Sequence, residues 1–271
     1  MIMSSQAPTW RLLITPPAAA AWNMAVDEAL LHCFPSEQQP TLRFYGWSPP
    51  AVSLGIAQRW RDVQAAQCAA QGVAVVRRPT GGRAILHDRE LTYSLVTSQT
   101  DPLVAAATVV GAYARINAAL VVGLSGLGVA AVLAPRSSPN APTSAACFDT
   151  PAAFEITVDG RKLVGSAQSR KHGAVLQQGT VLLHADPAAL AALLVLPPAL
   201  DAAALAQRLV ALDEIMGHAP TFQVVAAALT AGFRTAWGIT LTPGTLTEAE
   251  VVMADALVYD KYNNVLWTQR R

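Results

Sequence analysis

The chain has 271 residues, of which 52% are hydrophobic and 14% are charged, and its formal net charge is +1 at pH 7. This composition provides enough apolar side chains for a large core and excludes an intrinsically disordered protein. A net charge near zero also excludes a protein held to nucleic acid or a membrane surface by overall electrostatic attraction.

The predicted elements follow from apolar periodicity and from flanking Gly and Pro residues. Strands are expected over 10–14, 41–45, 51–55, 72–76 and 91–96, and helices over 20–34, over 63–70 and from about Pro102. Beyond Pro187 the pattern becomes helical over 187–210 and 221–237 and ends in a mixed tail. Because neighbouring strands do not alternate regularly with helices, we predict an α+β fold with a mixed, mostly antiparallel sheet flanked by helices. We expect a single domain over 1–271, with a helix-rich C-terminal part from about residue 187.

The uncharged segment 116–135 has the composition of a membrane span. Glycines and a serine over 123–128 interrupt it, so we predict the end of a helix followed by a short strand over 129–133. The first ten residues lack the basic and apolar regions of a secretory signal. We therefore expect a cytoplasmic protein.

Asp159-Gly160 separates two β-type runs, 154–158 and 161–165. Asp-Gly in this setting is typical of a two-residue type I′ hairpin, whose turn fixes the register. The predicted pairs are Val158 with Arg161, Thr157 with Lys162, and Ile156 with Leu163. The face predicted for Lys162 also holds Glu155, Thr157 and Val164, and the opposite, apolar face holds Phe154, Ile156 and Leu163.

The segment 77–83, Arg-Arg-Pro-Thr-Gly-Gly-Arg, follows a buried-type strand and precedes another apolar run. Adjacent glycines permit unusual backbone angles or a close approach, and arginines bind carboxylates and phosphates. A solvated surface turn is the alternative, but the apolar flanks favour a pocket loop. With a second basic cluster over 161–172, this loop suits a phosphate-bearing substrate or an acidic carrier protein better than a DNA duplex.

The three cysteines are widely spaced and odd in number, so they predict neither a disulfide framework nor a zinc site. Cys33 and Cys68 lie on helical patterns and are interpreted as small buried hydrophobes. Cys147 is placed in a loop beside the hairpin. A loop cysteine is nucleophilic when a cation stabilises its thiolate, and Lys162 is the candidate cation. His87 and His172 are distant in sequence and could approach only through folding.

Several blocks resemble the lipoate/biotin protein ligase superfamily, and within it the cysteine-dependent octanoyltransferases of the Bacillus-like type. The blocks are 23–30, 77–88, 90–94, 147–149 and 160–168, with Lys261-Tyr262 and Trp267 similar in the tail. The superfamily often has His-Gly where this chain has Gln178-Gly179, which argues against an imidazole at that place.

The resemblance implies a lipoate/biotin protein ligase catalytic-domain-like fold and a ping-pong acyl transfer in lipoate biosynthesis. Octanoyl would pass from octanoyl-acyl carrier protein to Cys147 as a thioester, and then to the lysine of a lipoyl domain such as the glycine cleavage H protein. Lys162 would lower the pKa of Cys147 and help to stabilise the oxyanion. The residues implied for substrate binding are Arg78, Gly81, Gly82, Arg83, His87, Gly165, Ser166 and Ala167. No cofactor, metal or nucleotide is expected, because the thioester is already activated, and neither nucleic acid nor a membrane is an expected partner.

Three alternatives remain open. An ATP-dependent lipoate–protein ligase shares the fold, the Gly-Gly loop and the lysine but needs no nucleophilic cysteine, so Cys147 argues against it. An octanoyl amidotransferase acting from H protein to other lipoyl domains uses the same cysteine chemistry. The residues of segments 78–83 and 90–94 favour the carrier-protein enzyme over it. A non-catalytic acyl-binding protein would tolerate the loss of Cys147.

Overall fold

The computed structural model describes residues 7–106, 108–135 and 154–271. The strands in these ranges are β1 (Thr9–Ile14), β2 (Thr41–Tyr45), β3 (Ala51–Leu54), β4 (Ala74–Arg77), β5 (Ile85–His87), β6 (Glu90–Ser98), β7 (Val132–Leu133), β8 (Ile156–Val158), β9 (Arg161–Lys171), β10 (Ala174–Leu182) and β11 (Thr240–Pro243). The helices are α1 (Ala20–Glu37), α2 (Ala65–Ala70), α3 (Val109–Ser125), α4 (Pro187–Leu193), α5 (Ala202–Ala206), α6 (Leu212–Met216), α7 (Phe222–Trp237), α8 (Glu248–Leu257) and α9 (Val265–Thr268). A 3₁₀-helix covers Trp60–Asp62 and a π-helix covers Val258–Tyr262.

Eight strands form one mixed sheet in the order β11-β1-β2-β6-β10-β9-β8-β7. β1 is parallel to β2 and β11, and the other neighbouring pairs are antiparallel. A smaller sheet has the order β4-β3-β5, with β4 parallel and β5 antiparallel to β3. The predicted α+β fold with a mixed, mostly antiparallel sheet is confirmed.

The two faces of the large sheet bury separate apolar cores. Consecutive residues of a strand point to opposite faces, so Leu12 joins the core beneath α3 and α7, whereas Leu13 joins the core beneath α1 and α8. A third core lies between the small sheet and the helices α2, α4 and α5. Full burial of each leucine contributes about 1.5–3 kcal/mol, so these layers fix the strands that carry the candidate site.

The helix expected from Pro102 begins at Val109, and the predicted start is wrong by seven residues. Asp101 explains the difference, because its carboxylate accepts a hydrogen bond from the backbone N of Leu103 at 2.9 Å and holds a turn there. Thr108 is the N-cap of α3, since its hydroxyl accepts from Gly111 N at 3.0 Å.

The segment 116–135 divides as predicted into the end of α3 and a short strand, β7. Gly123 lies where α3 crosses α7. A Cβ atom added to Gly232 of α7 would lie 2.3 Å from the backbone N of Gly123. The glycines therefore serve a close helix crossing. None of the helices in the described ranges combines the length and apolar character that a membrane crossing requires.

The hairpin has the predicted turn, with both Asp159 (φ 50°) and Gly160 (φ 78°) in the left-handed region. Thr157 pairs with Lys162 and Val158 with Arg161, as expected. The third predicted pair is wrong, because a bulge between Ile156 and Thr157 makes Ile156 face Val164 instead of Leu163. Val164 consequently lies in the apolar core with Ile156 and Leu163, and the prediction that it shares the face of Lys162 is also wrong.

The C-terminal part is less uniformly helical than the sequence predicts. The expected run over 187–210 is divided between α4 and α5, and the tail contributes β11, which pairs with β1 in the large sheet. Arg11 of β1 and Glu250 of α8 form a buried ion pair at 2.5 Å. This contact fastens the tail to the first strand.

Candidate active site

A cavity with an empty volume of about 330 Å³ is lined by residues from both sheets and from α1. Five of the eight predicted substrate-binding residues line it, namely Arg78, His87, Gly165, Ser166 and Ala167.

The other three predicted residues, Gly81, Gly82 and Arg83, lie in the loop beside the cavity. Arg78 Nη2 donates to the backbone oxygens of Gly81 at 2.6 Å and Arg83 at 2.8 Å. Gly82 has a φ of 81°, and a Cβ atom added to it would lie 3.8 Å from the Cβ atom of Ala167. The loop therefore folds around the Arg78 side chain and approaches the cavity wall.

Arg77 and Arg78 are consecutive, yet their side chains have different destinations. Arg78 Nη1 donates to Ser53 O at 2.8 Å, beside the cavity. Arg77 donates instead to Gly55 O at 2.8 Å and to Thr268 O at 2.8 Å. Arg77 thus binds the tail to the loop after β3, and only Arg78 belongs to the cavity.

Ser53, His87 and Glu90 form a hydrogen-bonded row of buried side chains along the cavity. Ser53 Oγ lies 2.7 Å from His87 Nε2, and His87 Nδ1 lies 2.5 Å from Glu90 Oε1. Arg78 Nη1 donates to Ser53 Oγ at 3.0 Å, and an arginine can only donate. Every donor in the row finds an acceptor when the Ser53 hydroxyl donates to His87 Nε2 and His87 Nδ1–H donates to the Glu90 carboxylate.

Trp47 and Thr92 complete this wall. The Trp47 ring stacks on the His87 ring, with centroids 3.9 Å apart and planes inclined by 12°. Trp47 Nε1 donates to Thr92 Oγ1 at 2.8 Å, and Thr92 Oγ1 donates to Glu90 Oε1 at 2.5 Å. Because these donors are used within the wall, few polar hydrogens remain for a ligand, which suits an apolar group.

Asp27 of α1 is fully buried and accepts four hydrogen bonds, a number that compensates a carboxylate removed from water. The donors are Arg43 Nη1 at 2.7 Å, Ser94 Oγ at 2.6 Å, Tyr45 OH at 2.7 Å and Gln178 Nε2 at 2.6 Å.

Gln178 is the residue at which the chain departs from the superfamily pattern. Its Nε2 atom donates to Asp27, and its Oε1 atom accepts from Thr80 Oγ1 at 2.9 Å. The Gln178 amide therefore links α1 to the loop 77–83. This link needs a side chain that has both a donor and an acceptor.

Ser166 on the cavity wall is positioned by Tyr93, whose hydroxyl lies 2.7 Å from Ser166 Oγ. Gln177 Nε2 donates to the Tyr93 hydroxyl at 2.7 Å and to Asn117 Oδ1 at 2.9 Å. Burial raises the pKa of Tyr93 to about 12, although the hydrogen bonds with Ser166 and Gln177 lower it in part. Tyr93 is therefore a neutral anchor for Ser166.

Lys162 is fully buried, and its Nζ atom donates to Glu155 Oε1 at 2.6 Å. Its backbone is fixed on the other side, because Lys162 N donates to Arg208 O at 2.8 Å and Lys162 O accepts from Val210 N at 3.0 Å. Lys162 lies on β9, three residues before Gly165 of the cavity wall. A buried, compensated ammonium is thus held on the strand that forms the site.

Cys147 lies outside the described residues, so its predicted role stays a prediction. Cys33 and Cys68 are buried, as expected. Burial raises the pKa of both thiols, which leaves them without the thiolate that a nucleophile needs.

The far end of the second basic cluster, Lys171 and His172, lies away from the cavity. The Lys171 Nζ atom lies 3.6 Å from Glu28 Oε1, and the ring of His172 lies 4.7 Å from the ring of His32. His172 is therefore not brought to the site, whereas His87 is.

The tail residues that carry part of the resemblance are structural anchors. Lys261 and Tyr262 both donate to Glu28 of α1, and Trp267 Nε1 donates to Arg77 O at 2.9 Å. Burial alone would raise the pKa of Glu28, but the hydrogen bonds from Lys261 and Tyr262 bring it below its usual value. These contacts hold the tail against α1 and β4.

The sequence did not identify Ser53, Trp47 or Tyr93 as parts of the site, and it did not pair Glu90 with His87. A signal for the pair was present, because Glu90 opens an otherwise apolar strand only three residues after His87. A carboxylate there needs a buried partner.

Comparison with known proteins places these features in a family. Residues 19–234 match the lipoyl protein ligase A/B catalytic domain, and the chain belongs to this family.

Individual relatives within this family are similar over almost the whole chain. The octanoyltransferase LipM of Kyrpidia tusciae is 44% identical over 97% of this chain and 99% of its own length. The octanoyltransferase LipM of Bacillus subtilis is 37% identical over 98% of this chain and 100% of its own length. Among solved structures, lipoate-protein ligase A bound with ATP is similar with a TM-score of 0.82 and 26% identity, over 96% of this chain and 98% of that chain.

Proposed function

We propose that the protein transfers octanoyl from octanoyl-acyl carrier protein to the lysine of lipoyl domains, such as the glycine cleavage H protein, in lipoate biosynthesis. The observation that carries the proposal is the run of relatives named octanoyltransferase LipM, which match almost the whole chain at up to 44% identity. Sequence blocks in the chain that resemble the cysteine-dependent enzymes agree with these relatives.

The chemistry proposed is two successive acyl transfers. The Cys147 thiolate attacks the carbonyl carbon of the donor thioester, a carbon–sulfur bond forms to Cys147, and the carrier sulfur leaves as a thiolate that takes a proton. The acceptor amine then attacks the acyl-enzyme, loses a proton and forms an amide, while the Cys147 sulfur leaves. No ATP is consumed. The first step exchanges one thioester for another, and the second exchanges a thioester for a more stable amide.

Lys162 is proposed to favour the thiolate of Cys147 and to stabilise the oxyanion. Its burial supports this role, because an ammonium in a low-dielectric site acts on a nearby charge more strongly than one in water. The hydrogen bond to Glu155 supports it too, since the bond fixes the position of Nζ.

The pocket proposed for the octanoyl chain is the cavity that His87 and Ser166 line. Apolar groups of Met24, Trp47 and Ile85 line it. Both ring nitrogens of His87 are used, by Ser53 and by Glu90, so an alkyl chain can be buried there without leaving the imidazole unsatisfied.

The decisive experiment incubates the protein with octanoyl-acyl carrier protein without ATP and measures the intact mass. An octanoyl adduct is expected in the unmodified protein and is absent in Cys147→Ala, whereas Cys33→Ala and Cys68→Ala serve as matched controls that keep it. An adduct that persists in Cys147→Ala would overturn the proposed nucleophile.

An ATP-dependent ligase is the second candidate, favoured by the similarity to lipoate-protein ligase A. Free octanoate or lipoate with ATP and an apo lipoyl domain separates the two functions. Modification of the domain under these conditions, with no adduct from the carrier thioester, would establish the ligase. Supplying octanoyl-H protein as donor instead tests the amidotransferase.

The role of Lys162 needs a variant that does not leave a buried carboxylate unpaired. The double variant Lys162→Met/Glu155→Gln removes both charges, and Arg161→Met/Glu214→Gln, which removes the exposed ion pair beside it, is the matched control. We expect slower acylation of Cys147 and a shift of its alkylation rate profile to higher pH in the double variant. An unchanged profile would contradict the role.

A further inference from the structure

Two pairs of arginines meet on one exposed surface. Arg59 precedes the 3₁₀-helix and Arg61 lies within it, whereas Arg270 and Arg271 follow α9. All four are exposed. An open depression with about 990 Å³ of empty volume lies among them, and three of the four line it, together with Trp60. These four residues are called the arginine cluster below.

The cluster is assembled by a buried arginine beneath it. Arg77 donates to Gln58 O at 2.6 Å on one side and to Thr268 O at 2.8 Å on the other. Trp60 N also donates to Arg271 O at 2.7 Å. The segment after β3 and the tail are therefore joined by fixed contacts, although Trp60 and Arg271 are 211 residues apart in the chain.

This charge is only weakly compensated within the part of the chain that the structure describes, where the Glu28 carboxylate acts on Arg270 without forming an ion pair. The ion pairs there involve other basic residues, and none includes a member of the arginine cluster. Burial lowers the pKa of Arg77, and the nearby charges of Arg270 and Arg271 lower it further. Like charges held together with little counter-charge cost free energy that an anionic partner recovers.

The arginine cluster adjoins the loop of the candidate site. Ile56 N, three residues before Arg59, donates to Thr80 O at 2.8 Å. A Cβ atom added to Gly55 would lie 2.0 Å from Gly82 O, so the two backbones touch. A protein seated on the arginine cluster therefore lies beside the loop 77–83.

We propose that the arginine cluster is the docking surface for the donor, a carrier protein with an acidic surface. This inference rests on the proposed function and assigns a partner to it. Arginines bind carboxylates and phosphates in a bidentate manner, and a carrier protein offers both, since its acyl group is attached through a phosphate-bearing arm.

The donor fits this surface better than the acceptor. The acceptor delivers a lysine ammonium, which a group of arginines repels. Exposed carboxylate lies elsewhere, because Asp88 lines a separate groove, which Arg89 and His184 also line.

The test compares two donors in the acylation of Cys147. One is octanoyl-acyl carrier protein, and the other is octanoyl-N-acetylcysteamine, a small neutral thioester that needs no docking surface. In Arg59→Glu/Arg61→Glu we expect kcat/KM for the carrier protein to fall by about 10- to 100-fold at low salt, and to depend less on salt than in the unmodified protein. The small thioester is expected to react within about twofold, as for surface changes away from a site.

Matched controls keep the result specific. Arg115→Glu/Arg234→Glu makes the same change of charge on exposed positions of α3 and α7 and should leave both donors unaffected. Arg59→Gln/Arg61→Gln, which adds no negative charge, should give a smaller loss confined to the carrier protein. Equal losses with both donors, an equal loss in the control, or a loss confined to transfer to the lipoyl domain would each overturn the proposal.

Binding separates this proposal from the proposed function. Calorimetric titration of the protein with carrier protein lacking an acyl group requires no chemistry. Binding that weakens in Arg59→Gln/Arg61→Gln supports the arginine cluster even if no octanoyl adduct forms, in which case only the proposed function fails. Binding that is absent, or unchanged in this variant, overturns the docking surface.

Discussion

The cavity wall and the arginine cluster use charged side chains in opposite ways. In the wall, Asp27 and Glu90 are buried and accept hydrogen bonds from several neighbours. In the arginine cluster the charges are exposed and form no ion pair within the described ranges. Charges compensated inside the chain shape a pocket and stabilise the fold, whereas charges left without a counter-charge are available to a partner.

Breaking the Asp27 network is expected to have the largest effect on stability. Asp27→Ala leaves the guanidinium of Arg43 buried without its carboxylate, and we expect a loss of about 3–5 kcal/mol in the free energy of unfolding. Urea unfolding measures it, and Asp88→Ala, at an exposed carboxylate, should change stability by less than about 0.5 kcal/mol. A loss below about 1 kcal/mol for Asp27→Ala would show that the network is not structural.

Alkaline pH should weaken the wall through Tyr93. Its pKa is about 12 in the folded protein and about 10 in an unfolded chain. The unfolded chain therefore releases the proton first, and the stability present below pH 10 is lost between pH 10 and 12, by about 3 kcal/mol for a two-unit difference. Unfolding by urea at several pH values should show this decline, with a shallower slope in Tyr93→Phe. Tyr45 and Tyr262, whose pKa values burial also raises, account for the slope that remains.

Two glycines show how tightly the wall is packed and how open the loop 77–83 is. A Cβ atom added to Gly179 would lie 2.3 Å from Tyr93 Cε1 and 2.5 Å from Ser166 Oγ, whereas one added to Gly81 meets nothing within 4 Å. We expect Gly179→Ala to cost about 1–3 kcal/mol, as overpacking does, and Gly81→Ala to change stability by less than about 0.5 kcal/mol. Thermal unfolding of the two variants side by side tests the difference, and equal melting temperatures would refute it.

The smallest effect on stability is expected in the arginine cluster. Arg59→Gln/Arg61→Gln removes two exposed charges that have no ion pair, so the free energy of unfolding should change by no more than about 0.5 kcal/mol. A loss above about 1 kcal/mol in urea unfolding would mean that the cluster supports the fold instead of a partner.

Local chemistry made much of the fold predictable. The Asp159-Gly160 turn follows from residues that accept left-handed backbone angles, and the strands follow from alternation over a few residues. The bulge at Ile156 was not predictable, because a bulge depends on which residues the neighbouring core accepts. The pairing of β11 with β1 was hidden for a similar reason, since more than 220 residues separate the two strands.

The candidate site divides in the same way. The sequence by itself determined the family blocks, the loop 77–83 and the residue types that the chemistry needs, because these depend on short segments. Only the tertiary structure decided that Arg78 lines the cavity while Arg77 supports the arginine cluster, and that Glu90 holds His87. The physical reason is that a buried polar side chain is directed by the partners that satisfy it, and Thr268 lies 191 residues from Arg77 in the chain.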